Sequence, residues 1–333
     1  MRRVWRMFGA VFVLLLVLVF WNINTGSVAL SPQEIVELLL FRRGDDTALR
    51  IVWDIRLPRI LAAMILGGAL SVSGFLLQSF FGNPIAGPYI LGISSGAKLV
   101  VALTMIFFLG RGLVIGSVVM IGAAFVGSLL AMGFVLLLSL RTQKMSLLIV
   151  CGVMIGYICS AITDFVVTFA NDANIVNLHN WSMGSFSGMT WSNVAVMSIV
   201  VSLTLVVTIW LAKPLGAYRM GEAYAHNAGV NVKALRVMLI LLSSLLSACV
   251  TAFAGPISFV GIAVPHMVKV LAGSSRPQIL LPGCLFLGAA VTLFCDGIAR
   301  CVFAPTELSI SSVTALLLVP VVLAMMLRAH RHV

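Results

Sequence analysis

The sequence predicts an all-α membrane protein that crosses the bilayer about ten times. Hydrophobic residues make up 61% of the 333 positions and charged residues only 9%, against about 25% in an ordinary soluble domain. The mean hydropathy is +1.14. A chain this apolar has too few polar side chains to cover a water-soluble globule of its size. The composition therefore excludes a soluble enzyme, a disordered chain and a fibrous repeat.

The spans are predicted from apolar runs, because about 30 Å of hydrocarbon takes roughly 20 residues of helix to cross. We expect the eighth run to be tilted or broken, because it is short and contains Pro265 and His266. The whole chain, 1–333, is interpreted as one transmembrane domain. The ten runs cover 8–24, 57–80, 89–109, 113–139, 147–170, 194–212, 235–254, 258–272, 279–301 and 310–327.

The distribution of lysine and arginine predicts the orientation. With the N-terminus in the cytoplasm, 13 of the 21 basic residues lie inside, seven lie outside and Lys98 lies within a span. An even number of spans then puts both termini in the cytoplasm. The net charge of +11 is therefore attributed to topology, and we expect no nucleic-acid partner. The first run follows three arginines as in a signal peptide, but no small-residue cleavage site follows it, so a retained span is predicted.

Two outer loops carry recognisable surface features. The first loop, 25–56, contains Ser31-Pro32-Gln33-Glu34 before an apolar run, which is a capping-box start and predicts a short amphipathic helix on the outer surface. The second, 171–193, contains Trp181 and Trp191, which are typical of a membrane interface.

The cysteines are interpreted as small apolar side chains in or at the ends of the spans. They form no C-x-x-C pair and no histidine cluster lies near them in the sequence, so we expect neither a metal site nor a cofactor. They are Cys151, Cys159, Cys249, Cys284, Cys295 and Cys301.

Several short motifs follow one another along nearly the whole chain. Arg56-Leu57-Pro58-Arg59 opens a span rich in small residues, which allow close helix contact in a membrane. The other motifs are Gln78, N-P-x-A at 83–86, L-G-I-S-S-G-A at 91–97, G-P-I-S-F-V-G at 255–261, V-P-H at 264–266, L-P-G at 281–283, D-G-I-A-R at 296–300 and Glu307-Leu308. Together they resemble the FecCD-type permeases of ABC importers for iron-siderophores, haem and cobalamin.

This resemblance implies the permease fold of cobalamin and siderophore importers. It also implies an inner-membrane complex with a second permease subunit (identical or homologous), cytoplasmic ABC ATPases and an extracytoplasmic binding protein. The expected activity is uptake of an iron chelate, a siderophore or haem, by alternating access; cobalamin is the alternative substrate. The chain contains no G-x-x-x-x-G-K-[ST] phosphate-binding loop. Energy would then come from the partner ATPases, and the chain itself would not be an enzyme.

The resemblance also implies roles for charged residues at the two membrane surfaces. Arg56, Arg59 and Arg300 would bind acidic side chains of the binding protein, to which arginine is suited by its planar fork. Snorkelling toward lipid headgroups is the alternative. The inner loop 213–236 would contain a helix that contacts the ATPase, or be an ordinary basic loop. Its candidate coupling residues are Gly221, Glu222, Ala225 and Gly229.

Further candidates concern the transport pathway. Asn83 and Ile85, with Met145 and Ser146, would form its inner gate, although Asn-Pro favours a plain turn as well. Lys98 and Asp164 are the charges placed deepest in the predicted spans. Such charges usually face a cavity or a partner. They are therefore candidates for the pathway, for an ion pair with each other, or for snorkelling.

Two other classes of function fit the residues less well than a permease does. An ion-coupled secondary transporter would need ionisable residues near the middle of its spans, and most of these spans lack them. A membrane-embedded enzyme would need a convergent polar set, and none is found. The chain also departs from the family pattern, and the departures are Ser309, Ser311, Leu318 and Arg276-Pro277-Gln278.

Overall fold

The structure, a computed structural model, describes residues 1–26, 32–42, 45–109, 117–141, 145–304 and 306–330. Within these ranges every regular element is a helix. The α-helices are α1 Arg2–Asn24, α2 Pro32–Val36, α3 Asp46–Arg50, α4 Leu57–Phe81, α5 Ile93–Leu109, α6 Ser117–Arg141, α7 Met145–Val167, α8 Asp172–Ser182, α9 Trp191–Trp210, α10 Ala212–Tyr218, α11 Glu222–Asn227, α12 Val232–Ala254, α13 Val260–Ala272, α14 Pro277–Cys301 and α15 Ile310–His330. Wider π-helical turns, 37–41 and 51–56, extend α2 and join α3 to α4, and Pro88–Leu91 is a 3₁₀ turn.

The prediction of about ten membrane-crossing helices is confirmed. In the described part of the chain, seven helical segments are long and apolar enough to span a bilayer. Three shorter apolar helices, in α5, α13 and α15, complete the set of ten. Each of the ten predicted runs overlaps one of them.

Three helices form the centre of the bundle. The most apolar windows of the segment ending in α4, of α12 and of α14 are 83%, 72% and 61% buried, whereas that of α1 is 22% buried and that of α7 is 17% buried. Helix α4 packs against α14, α12 and α13, while α1 packs on the outside of α14. The small residues of α4 therefore lie in the interior, and α1 and α7 lie at the periphery.

Glycines allow α4 to touch its neighbours backbone to backbone. A Cβ added at Gly74 would overlap the carbonyl group of Gly261 in α13, and one added at Gly288 in α14 would lie 2.6 Å from the carbonyl oxygen of Gly67. Such close approach is what small residues provide where water no longer drives helices together.

Serines join α4 to α12 inside the same core. The Ser73 hydroxyl lies 2.8 Å from both the carbonyl oxygen and the hydroxyl of Ser243, and the Ser243 hydroxyl donates back to the Ser73 carbonyl at 3.0 Å. Both serines are fully buried. A reciprocal pair of this kind fixes the height of one helix against the other, because sliding would leave buried polar groups unsatisfied.

The eighth predicted span was expected to be tilted or broken, but α13 is continuous through Pro265. Proline cannot donate to the carbonyl four residues earlier, which belongs to Gly261. The Gln78 side chain of α4 replaces this donor: its Nε2 lies 3.4 Å from the Gly261 carbonyl oxygen and 3.1 Å from that of Ile262. A neighbouring helix thus satisfies the freed backbone, as the membrane interior requires.

The bundle has two ends, which carry different contacts. We call one the N-terminal face: here Arg3 of α1 donates to the carbonyl oxygens of Val270 and Leu271 at the end of α13. The other is the distal face, where Arg56 donates to the Ile23 carbonyl oxygen at the end of α1. Residues from distant parts of the sequence meet at each face.

The two predicted outer loops contain helices. Helix α2 and its π-helical extension bury Ile35 and Leu38 and expose Val36 and Phe41, whereas the predicted capping residue Ser31 lies outside the described residues. The second loop contains α8, and the Trp191 indole donates to the Trp53 carbonyl oxygen at 2.9 Å.

Candidate functional site

The distal face holds a cluster of five charged side chains, and Arg59 lies at its centre. The chain reaches it through the π-helical turn 51–56, and Pro58 occupies the first turn of α4. Asp296 and Arg300 project from the last turns of α14, four residues apart. Glu307 follows in the segment after α14, which is held by a hydrogen bond from the Leu308 amide to the Ala299 carbonyl.

Arg59 binds two carboxylates at once. Its Nη2 lies 2.9 Å from Asp296 Oδ1 and its Nε 3.1 Å from Oδ2, and its Nη1 lies 2.8 Å from Glu307 Oε1. Asp296 is 1% exposed and Arg59 is 7% exposed. Bidentate bonds of this type satisfy both charges where water cannot reach them.

The two other arginines complete the cluster. Arg300 Nε lies 3.4 Å from Asp296 Oδ2, and its Nη2 donates to the Asn22 side-chain oxygen at the end of α1. Arg56 is 4% exposed and donates to Ile23 as described above. Three guanidinium groups and two carboxylates leave one positive charge in excess.

The structure thus brings together the three arginines that the sequence analysis grouped, but inside the protein rather than on an open surface. In the sequence, Asp296 and Glu307 stood out only as parts of motifs. Their pairing with Arg59 spans 237 and 248 residues. Neither periodicity nor spacing indicates contacts across such separations.

The N-terminal face carries the segment predicted to couple to a partner. Helix α10 ends before Gly221, where φ is +121°, and α11 ends before Gly229, where φ is +79°. These backbone conformations favour glycine. Asn231 then caps α12 by accepting from the Ala234 amide at 3.1 Å. Two turns that depend on glycine therefore hold α11 as a separate short helix.

The side chains of this segment are only partly available to a partner. Glu222 is exposed and forms an ion pair with Arg236 of α12, and the Tyr218 hydroxyl lies 3.4 Å from its Oε1. Burial raises the pKa of Tyr218, which keeps its hydroxyl protonated. Ala225, by contrast, lies on the inner side of α11 and is fully buried. The exposed surface of α11 consists of its other residues, among them Tyr224.

Two of the predicted gate residues follow the C-terminal end of α4, and the other two lie at the N-terminal end of α7. Asn83 follows α4, and its side-chain oxygen accepts from the Ile85 amide at 3.0 Å, which makes a tight turn. Ile85 is 51% exposed. Met145 is the first residue of α7, and Ser146 is exposed.

Lys98 and Asp164 do not form an ion pair in the described part of the chain. Lys98 is half-buried on α5, and Asp164 is exposed near the end of α7. Pairing, one of the alternatives weighed for these charges, is therefore absent from this structure.

The departures from the family pattern have local roles. Ser309 accepts from the Ser312 amide at 3.2 Å, which caps α15. The Ser311 hydroxyl donates to the Pro256 carbonyl oxygen at 2.5 Å. Leu318 is buried, and Arg276-Pro277 starts α14 with proline in its first turn. These residues stabilise helix ends and contacts within the chain.

In the described part of the chain, ten apolar helices form a bundle with a buried charge cluster at one face and a short exposed helix at the other, which is the architecture of a polytopic membrane protein. The chain belongs to the FecCD transport family, whose model matches residues 14–328.

Individual relatives agree with this membership. The hemin transport system permease protein HmuU of Yersinia pestis is 33% identical over 98% of this chain and 96% of its own length. The vitamin B12 import system permease protein BtuC of Serratia proteamaculans is 35% identical over 92% of this chain and 88% of its own. A solved inward-facing structure, assigned to the metal-chelate type of ABC transporter, covers 97% of this chain with a TM-score of 0.85 and 27% identity.

Proposed function

We propose that this chain is the permease subunit of an ABC importer that carries an iron chelate, a siderophore or haem, across the inner membrane. The observation that carries the proposal is the family match over residues 14–328. The similarity to a hemin transport permease, which covers almost the full length of both chains, supports it. The similarity to vitamin B12 permeases is of the same order, so cobalamin is the second candidate substrate. Transport would proceed by alternating access, without a change in the bonds of the substrate.

A second permease subunit is supported by the large apolar surface that the chain leaves uncovered. Helix α7 is only 17% buried over its most apolar window, and it exposes residues such as Met154, Tyr157 and Phe165. Lipid covers such a surface in a membrane protein, and so does a partner helix. We place a second copy or a homologue here, with the pathway between the two subunits and the gate residues Asn83, Ile85, Met145 and Ser146 at its inner end. Lys98 and Asp164 remain candidates for the pathway.

Docking of an extracytoplasmic binding protein fits the distal face. The cluster there has one excess positive charge, and its Glu307 side chain is 42% exposed. An acidic side chain from the partner would approach at this open edge and share Arg56, Arg59 and Arg300 with the two carboxylates. The burial of the arginines strengthens such a contact, because charges attract more strongly away from water.

ATPase coupling fits the N-terminal face. The segment 213–236 presents α11 between two glycine turns, so the helix projects as a small unit that a groove on a partner could hold. Its Glu222–Arg236 ion pair connects it to α12, and the Arg219 side chain donates to the Ser275 carbonyl oxygen at 2.7 Å. A displacement of α11 would thus reach both α12 and the turn before α14. This assignment places both termini in the cytoplasm.

The function is tested by uptake into vesicles that contain the permease, its ATPase and its binding protein. We expect uptake of the chelate to require ATP and to stop when the phosphate-binding lysine of the ATPase is replaced by alanine. Uptake that survives this replacement, or that a proton gradient drives without ATP, would instead indicate a secondary transporter. A panel of siderophores, haem and cobalamin offered to the binding protein identifies the substrate.

The two partner surfaces are tested by variants that control for each other. Arg56→Glu combined with Arg300→Glu is expected to weaken association with the binding protein at least tenfold, because two of the three positive charges become negative. Tyr224→Asp, on the exposed side of α11, is expected to weaken association with the ATPase by a similar factor. Each variant should leave the other association unchanged, as measured by pull-down with purified partners.

Two outcomes would contradict these assignments. Unchanged affinity of the Arg56/Arg300 variant for the binding protein would remove docking from the distal face. Loss of both associations in either variant would indicate misfolding, so membrane insertion and the elution volume in detergent are measured alongside.

A further inference from the structure

A cavity of about 710 Å³ opens at the N-terminal face, away from α11. It lies between the first turns of α1, the end of α13 and the start of α14. Its lining consists of Met1, Arg3, Val4, Trp5, Phe8, Ala272, Gly273, Ser274, Arg276 and Ile279. The volume falls within the range of ligand-binding cavities in proteins.

The polar part of this cavity is cationic. Arg3 is oriented by two hydrogen bonds, from its Nε to the Leu271 carbonyl at 3.0 Å and from its Nη2 to the Val270 carbonyl at 2.8 Å. Arg276 is exposed and immediately precedes α14. No acidic residue is among the described residues of the lining, and in the described part of the chain neither arginine forms an ion pair. The two positive charges therefore lack a counter-ion among the residues that the structure describes.

The remaining lining of the cavity is largely apolar and lies at the periphery of the bundle. Trp5 is 75% exposed, and the Phe8 ring packs edge-on against Phe286 of α14 with 6.4 Å between centroids. Helix α1 lies at the periphery of the bundle, and its outward side chains, such as Phe12 and Leu16, are exposed along the same helix. Tryptophan prefers the level of the lipid headgroups. The cavity thus opens at the boundary between headgroups and acyl chains.

We propose that this cavity binds the headgroup of an anionic phospholipid. Arginine pairs with phosphate through two parallel N–H···O bonds, and basic cavities between membrane helices are suited to anionic headgroups. Arg3 and Arg276 would bind the phosphate, while Trp5, Val4 and Ile279 would contact the glycerol and the upper acyl chains. The lipid would fasten α1, a weakly buried helix, to the turn between α13 and α14. This site requires only that the chain lies in a bilayer, so it is independent of the transported substrate.

The site is tested with the full-length permease in detergent, stripped of lipid and then titrated with phosphatidylglycerol or phosphatidylcholine. Bound lipid is counted by native mass spectrometry. We expect phosphatidylglycerol to bind at least tenfold more tightly than phosphatidylcholine. Arg3→Gln combined with Arg276→Gln is expected to reduce this affinity about tenfold. The matched control is Arg2→Gln combined with Arg6→Gln, which removes the same charge from exposed residues of α1 that do not line the cavity.

The outcomes separate the possible sources of binding. An equal loss in the control variant would mean diffuse attraction to surface charge, and equal binding of phosphatidylcholine would mean that the headgroup is not recognised. Displacement of the lipid by millimolar inorganic phosphate would mean a site for free anions. Each of these results overturns the proposal.

Substitution of Arg3 could also destabilise the fold, because Arg3 donates two hydrogen bonds to the end of α13. Variants of Arg276 alone avoid this problem. Arg276→Gln alone removes an exposed side chain and is expected to weaken phosphatidylglycerol binding about threefold, whereas Arg276→Lys keeps the charge and should retain most of it. If Arg276→Gln binds the lipid as tightly as the wild type does, the assignment of Arg276 to the headgroup is wrong.

Discussion

Replacing Arg59 by alanine is expected to destabilise the permease by about 3–5 kcal/mol, the cost of leaving a buried charge without its partner. Asp296 is 1% exposed and receives two of the hydrogen bonds that Arg59 donates. Without Arg59, the only ion pair that Asp296 keeps among the described residues is the 3.4 Å contact with Arg300, so the buried carboxylate loses most of its compensation. Thermal unfolding in detergent, followed by loss of the monodisperse elution peak, measures the effect.

A control and a rescue make this prediction specific. Arg50→Ala removes an exposed arginine at the end of α3, and we expect it to leave the unfolding temperature within a degree or two of the wild-type value. Arg59→Met combined with Asp296→Leu replaces the most buried pair of the cluster by apolar side chains of similar volume and should recover part of the lost stability. The recovery is incomplete because Arg300 and Glu307 lose their partners. If Arg59→Ala alone unfolds at the wild-type temperature, the cluster does not stabilise the distal face.

Gly74→Ala is expected to be the most damaging small substitution in the core. Its methyl group would overlap the Gly261 carbonyl group, which is backbone and cannot rotate away. Either α4 or α13 must shift, and overpacking of this kind typically costs about 1–3 kcal/mol and occasionally more. We expect the upper end of that range, because the Gln78 side chain that satisfies the backbone around Pro265 depends on the same spacing.

The matched control for Gly74 is Gly122→Ala in α6. A Cβ at Gly122 meets no atom within 4 Å, and alanine favours a helix over glycine by about 1 kcal/mol. The control is therefore expected to be neutral or slightly stabilising in the same unfolding measurement. Equal stability of Gly74→Ala and Gly122→Ala would show that α4 and α13 are not in close contact.

The helices could be predicted from the sequence because a bilayer imposes their length and polarity. Each apolar run corresponds to a helix, and small residues marked the face of α4 that lies in the interior. The prediction for α13 was wrong in one respect: Pro265 predicts a broken helix from local rules, whereas the helix continues because Gln78, 187 positions earlier in the chain, supplies donors. Local chemistry alone does not contain this contact.

The three arginines of the candidate site were indicated from the sequence, but its two carboxylates and its geometry were not. The resemblance to FecCD-type permeases indicated Arg56 and Arg59 as functional candidates. Their burial and the pairing of Arg59 with Glu307 depend on how α4 meets the segment after α14. Ala225 shows the same limit, because an alanine on a short helix gives no signal of which side faces the protein.

The reciprocal bonds between Ser73 and Ser243 have a mechanical consequence. Near the N-terminal face, Arg236 of α12 forms an ion pair with Glu222 of α11. The serine bonds oppose sliding of α12 along α4, whose first turn carries Arg59 at the distal face. We therefore expect α4 and α12 to move together when α11 is displaced, because sliding between the two helices would break these buried hydrogen bonds.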